Sequence, residues 1–182
     1  MGVIDDTGFW VFGYGSLIWN PGFPVTETRV ARLHGWHRSF CMRSIHHRGT
    51  VAAPGLVLAL DRANGAHCDG VAFRVMPGSE AETLALLRER ELISSAYLEE
   101  WLTVDLSGGG QAKTLAYVID PDHVQYCGGL PLEEQARIIA QAIGGRGPNH
   151  EYLFNTTDHL LGLGIEDVDL TWLTNRVRDL RS

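Results

Sequence analysis

The chain has 182 residues, of which 45% are hydrophobic and 20% charged, proportions that belong to a folded globular protein and not to a disordered one. Fourteen arginines and Lys113 face 22 acidic residues, a net charge of −7 with no basic run, which argues against a nucleic-acid partner. That length fits one domain, residues 1–182, large enough to bury about 70% of its unfolded surface.

At the N-terminus, Asp5 and Asp6 stand where an export signal needs basic residues followed by an apolar run, and position 6 lacks the Ser or Thr of a myristoylation motif. No stretch approaches the roughly 20 apolar residues of a membrane span, so a cytosolic protein without a membrane partner is expected. Phe9–Phe12 reads as a first strand, ending at the glycines of Gly13-Tyr14-Gly15-Ser16-Leu17. Further strands are expected at Val30–Cys41, Gly55–Leu60, Gly70–Met76, Tyr97–Leu106 and Lys113–Ile119. The last two flank Gly108-Gly109-Gly110, a hairpin connection whose turn type the three glycines leave open. Most strands follow one another without a helix between them, which favours an antiparallel or mixed sheet, with closure into a barrel as one solution.

Helices are clearer in the second half. Ser79-Glu80-Ala81-Glu82 has the pattern of a capping box, opening a helix to about Leu92. Leu132–Ile143 should stop at Gly144-Gly145, and a third helix is expected over Glu151–Leu163. A fourth starts at Asp169, with Leu170, Leu173, Val177 and Leu180 on one face. The fold class is therefore α+β.

The segment Val11-Phe12-Gly13-Tyr14-Gly15-Ser16-Leu17 is the first candidate site. Glycine permits close approach of a ligand to the main chain, and consecutive N–H groups in a turn can cradle an anion or oxyanion. A tight turn without ligand is equally compatible with the glycines. A dinucleotide fingerprint is excluded, because the third glycine and the following amphipathic helix are missing. So is a nucleophile elbow, since Tyr14 and Ile18 occupy the positions two residues either side of Ser16 that must be glycine. Ser16 reads as a hydrogen-bonding group.

Glu91 is the second. From Leu84 and Leu87, a further step of four along the helix lands on Glu91, on the stripe that should face the core. A poorly solvated carboxyl there suits a group that takes and gives a proton near neutral pH; a structural ion pair with an arginine, or a frayed helix end, is the competing reading. His34 and His37, three apart in a strand, should face opposite sides, and with His46 and His47 they lack the convergence of a metal site. Cys41, Cys68 and Cys127 are widely spaced and read as reduced thiols. Tyr152, Asn149 and Asn155 either line a pocket or pack the third helix.

Taken together, Trp10-Val11-Phe12-Gly13-Tyr14-Gly15-Ser16-Leu17-Ile18-Trp19, His47-Arg48-Gly49-Thr50, Cys68-Asp69-Gly70-Val71-Ala72, Arg90-Glu91-Leu92 and Asn149-His150-Glu151-Tyr152-Leu153 resemble the ChaC-type γ-glutamylcyclotransferases. The blocks occur in order over nearly the whole chain. The resemblance implies a small mixed β-barrel with surrounding helices and a cofactor-free enzyme that converts glutathione to 5-oxoproline and cysteinylglycine. It also implies a catalytic Glu91 and substrate binding by Val11–Leu17 and Tyr152. Glu89 and Glu99 depart from the family's usual residues. Arg43 and Arg48 are candidates for the substrate carboxylates. Other γ-glutamyl substrates, a non-catalytic binding module and Ser16-dependent hydrolysis are the alternatives, and the oligomeric state is open.

Overall fold

The computed structural model describes residues 8–92 and 95–182; the Asp5-Asp6 segment lies outside them. The elements run β1 (Trp10–Gly13), α1 (Ser16–Trp19), β2 (Val25–Ser44), β3 (Gly55–Val75), α2 (Glu80–Glu91), β4 (Tyr97–Leu106), β5 (Gln111–Ile119), α3 (Leu132–Gln141), β6 (Ile143–Gly144), β7 (Gly147–Pro148), α4 (Asn149–Gly162) and α5 (Val168–Arg181). Among the described residues no helix is long and apolar enough to cross a membrane.

Five strands close into the expected small mixed barrel, in the order β1-β3-β2-β4-β5. β1 lies antiparallel to β3, with Gly13 opposite Val71, and parallel to β5, with Val11 opposite Leu115. β4 and β5 form a hairpin in which Tyr97 faces Ile119 and Asp105 faces Gln111. All three glycines of its turn have positive φ, between 85° and 107°, a conformation that would cost any residue with a Cβ.

The two strands expected at Gly55–Leu60 and Gly70–Met76 are one strand of 21 residues. The polar segment between them remains extended because cross-strand pairs hold it against β2. Arg32 donates to Asp69 at 2.7 Å, and the His34 and His67 rings lie 6.3 Å apart. The Arg62 guanidinium sits over the Trp36 ring at 4.7 Å. β2 also outruns its expected bounds. Gly35, at φ 85°, interrupts its alternation: Ala31 and Leu33 are buried before it, Trp36, Arg38 and Phe40 after it. That one-residue shift puts His34 and His37 on the same, less buried side of the strand, contrary to the opposite faces expected from their spacing.

The chain divides into two compact units, residues 1–38 with 60–123 and residues 39–59 with 124–182. In the first, Val11, Leu17, Val75, Leu87, Leu115 and Tyr117 form a buried apolar cluster, with Leu84, Leu92 and Tyr97 packed against it. In the second, α3 presents Ala136 and Ile139, α4 Leu153 and Leu160, and α5 Leu170, Leu173 and Val177 to a common core. Leu180, expected on that face, is 38% exposed. α3 ends at Gln141 because Ile143-Gly144 pairs with Gly147-Pro148 as a two-residue ribbon. At α5, the Asp167 carboxylate accepts from the Leu170 N–H at 3.1 Å. The capping box expected at α2 does not form: the Ser79 side chain makes no cap bond, and Glu80 reaches back to the Gly78 N–H at 2.8 Å.

Candidate active site

Val11, Phe12, Gly13, Tyr14 and Leu17 are all buried, so most of the loop named from sequence is packed into the first unit. Neither Gly13 nor Gly15 adopts a positive φ. The demand for glycine at position 13 comes from packing: an added Cβ would lie 2.9 Å from the Phe73 ring and 3.2 Å from the Leu17 Cβ. After Gly15 the chain makes a single helical turn, α1, closed by the Ile18 N–H on the Gly15 carbonyl (3.0 Å) and the Asn20 N–H on the Ser16 carbonyl (2.8 Å). A helical turn directs its first N–H groups outward, with no acceptor inside the turn.

Two long-range contacts hold this segment. The Tyr14 hydroxyl donates to the Tyr117 carbonyl of β5 at 2.8 Å, in a buried position. Arg38 of β2, only 4% exposed, donates from Nη1 to the Tyr14 carbonyl (3.2 Å) and the Asp69 carbonyl (2.9 Å). A buried guanidinium shared by two carbonyls fixes the backbone at the loop entrance.

Glu91 is the last residue of α2. The helix buries Thr83 and Leu87, a step of four that continues to position 91, while Leu84 is only half-buried. The Glu91 side chain is 15% exposed, and its Oε1 lies 3.5 Å from Nε of Arg90. The same guanidinium donates from Nη2 to the Ser16 hydroxyl at 3.0 Å, and from Nη1 to the Asn20 carbonyl at 2.6 Å and the Pro21 carbonyl at 3.4 Å. The α1 turn and the Glu91 carboxylate are thus one guanidinium apart. On the β5 side, the Tyr117 hydroxyl donates to Glu99 at 3.3 Å, and Glu99 accepts from Arg88 at 3.1 and 3.2 Å. Burial, with the Glu99 and Glu91 charges, pushes the Tyr117 phenol well above its ordinary range, so it is a donor at every physiological pH.

Sequence spacing did not single out Arg90, Arg38 or Tyr117 as a group. Neighbours in a helix ordinarily point apart, so spacing did not identify Arg90 as the arginine of the ion pair weighed for Glu91, which lies 3.5 Å from it. Arg38 and Tyr117 sit on strands whose pairing decides what they meet.

Tyr152 belongs to the second unit. It is 7% exposed, its ring packs on Phe40 at 6.0 Å, and its hydroxyl accepts from the Leu58 N–H at 3.2 Å. Arg48 lies over that ring at 5.8 Å and donates to the Pro148 carbonyl at 3.1 Å. Asn149 is fully buried, and its side chain pairs with both the N–H and the carbonyl of Leu56 at 2.8 Å. A solvent-facing notch lined by Arg137, Ala140, Gln141, Leu180 and Arg181 contains none of the candidate site residues named from sequence.

A family model described as a ChaC-like protein matches residues 9–180. The chain is 39% identical to a glutathione-specific γ-glutamylcyclotransferase of Escherichia coli, over 97% of this chain and 75% of that one. It is 37% identical to γ-glutamylcyclotransferase 2-3 of Arabidopsis thaliana, over 95% and 90% of the two chains. Among solved structures, a γ-glutamylcyclotransferase specific to glutathione from yeast superposes with a TM-score of 0.86 at 27% identity, covering 97% of this chain and 98% of the other.

Proposed function

This chain belongs to the ChaC-like protein family, and on that premise we propose that it is a cytosolic enzyme cleaving the γ-glutamyl bond of glutathione, with Glu91 as its acid/base. The products are 5-oxoproline and cysteinylglycine. The observation that carries the assignment within the site is the Arg90 guanidinium, which reaches both Glu91 and Ser16 and so joins a half-buried carboxylate to the α1 turn.

The reaction is an intramolecular aminolysis. The substrate's α-amine attacks its own γ-carbonyl carbon, a five-membered lactam closes, and the bond to the cysteinyl nitrogen breaks. Glu91 takes one proton from the attacking nitrogen and delivers it to the departing nitrogen, so the carboxylate is regenerated. Acid/base catalysis of this kind is worth about 10²–10⁴ in rate. Backbone N–H groups around Gly13–Ser16 stabilise the carbonyl oxygen as it gains charge, at roughly 10²–10³ per donor. Val11–Leu17 form the substrate-binding segment that folds the γ-glutamyl chain so that amine and carbonyl meet. Tyr152, whose ring packs on Phe40 and whose hydroxyl accepts from the Leu58 N–H, is a further proposed substrate contact.

Glu91→Gln preserves size and removes the basic group. The variant should release 5-oxoproline from glutathione at least about 10²-fold more slowly than the parent. A near-parental rate would end the assignment. Mass spectrometry of the products gives a separate reading, since free glutamate in place of 5-oxoproline would mean hydrolysis.

A further inference from the structure

We infer that Arg90 is the positioning residue of this site: its guanidinium locks the α1 turn onto the end of α2 and sets its positive charge against the Glu91 carboxylate. The inference rests on the reading of Glu91 as the acid/base.

An arginine in the last turn of a helix ordinarily extends into solvent or folds over its own helix's terminal carbonyls. Arg90 does neither. Its three nitrogens divide their work among separate groups: Nε to Glu91, Nη1 to the Asn20 and Pro21 carbonyls, Nη2 to the Ser16 hydroxyl. Only a planar fork with several fixed donors can serve an oxygen on its own helix and three on another segment at once. The side chain is 18% exposed, so these contacts are shielded from water better than those of a surface pair.

The other charged and titratable groups facing this region do not compete for the role. On α2, Arg88 is committed to Glu99 through Nε. On β4, the Glu99 carboxylate is shared between Arg88 and the Tyr117 hydroxyl. On β5, the Tyr117 phenol stays protonated and neutral. From α1, Ser16 contributes a hydroxyl and no charge. Arg90 is therefore a cation that both touches Glu91 and binds the turn.

The two tasks separate in two variants of the full chain, assayed for 5-oxoproline release from glutathione across pH. Arg90→Lys keeps the charge and loses the fork. Its KM should rise about tenfold while the acidic limb of kcat/KM stays at the parental pH. Arg90→Gln loses both. Its kcat/KM should fall about 10²-fold, and the acidic limb should move to higher pH by about one unit, because the protonated form of Glu91 persists further once the neighbouring cation is gone. An acidic limb unmoved in Arg90→Gln, with activity lost only in proportion to the folded fraction seen by circular dichroism, would overturn the inference. If Arg90→Gln does not fold, Arg90→Lys decides alone: a parental KM refutes the tether. Glu91→Gln runs beside both. If it retains parental activity, the acid/base reading has failed; if it is inactive while Arg90→Gln keeps its limb and rate, this inference alone has failed.

Discussion

Gly13 shows how one residue can be constrained for a reason other than the one its motif suggests. Its φ is ordinary, so the backbone would accept alanine. The surroundings would not, with the Phe73 ring and the Leu17 Cβ both inside normal contact distance of an added methyl. Gly13→Ala should destabilise the protein by about 1–3 kcal/mol, the usual range for overpacking a tight core, read as a lower urea midpoint. Tyr117→Phe tests a different kind of residue. It removes a donor to Glu99 and leaves that carboxylate its contact with Arg88, so the loss should be near 1 kcal/mol, with the Tyr14 bond to the position 117 carbonyl intact. A loss of several kcal/mol would mean that Glu99 depends on the phenol more than on Arg88. Both arguments turn on neighbours brought by the fold, which is why the packing demand at position 13 was not legible in the motif and Tyr117 went unremarked.

At the scale of elements, start and stop signals, with the apolar spacing of α5, located the described helices of ten or more residues to within a few positions, and the triple glycine located the β4–β5 hairpin. What spacing could not convey was the price of local alternatives. Asp61–Asp69 carries polar residues and glycine, so it reads as a break, yet the cross-strand partners on β2 make extended backbone the better state for it. Ser79 has the capping pattern, yet Glu80 satisfies the Gly78 N–H instead. Tertiary ties between helices were equally invisible. Glu133, in the first turn of α3, accepts two bonds from Arg176 of α5 at 2.8 Å and one from Arg137 at 3.2 Å. The Arg176 hydrogen bond, followed by the nearby positive charges, lowers the Glu133 pKa from 4.5 to about 2. A carboxylate whose folded pKa lies below its unfolded one stabilises fully above the unfolded value. That contribution disappears as pH falls from about 4.5 to about 2. Glu133→Gln should therefore flatten the stability–pH curve in that window and leave its slope near neutrality unchanged. An unaltered acid slope would show that Arg176 finds another partner.

For the molecule as a whole, the chain's path sets the terms of unfolding. Neither compact unit is continuous in sequence: the first takes residues 1–38 and 60–123, the second 39–59 and 124–182. β2 crosses the boundary between residues 38 and 39, and β3 crosses it between 59 and 60, both in mid-strand. Melting either unit therefore frays strands that the other needs, and helical and barrel parts should be lost in one cooperative transition. Two truncations test this, one in each core. Leu87 of α2 and Leu153 of α4 are both fully buried, so Leu87→Ala and Leu153→Ala should each cost about 2–5 kcal/mol. Followed by far-ultraviolet circular dichroism and by tryptophan fluorescence, either variant should show a single transition at a lowered temperature, coincident for the two probes. Coincidence is the informative outcome. Trp10, Trp19, Trp36 and Trp101 lie in the first unit and Trp172 in the second, so fluorescence reports chiefly on the first unit, while α3, α4 and α5 dominate the helical signal. If Leu153→Ala moved the dichroism transition and left the fluorescence transition in place, the units would be unfolding independently in spite of their shared strands.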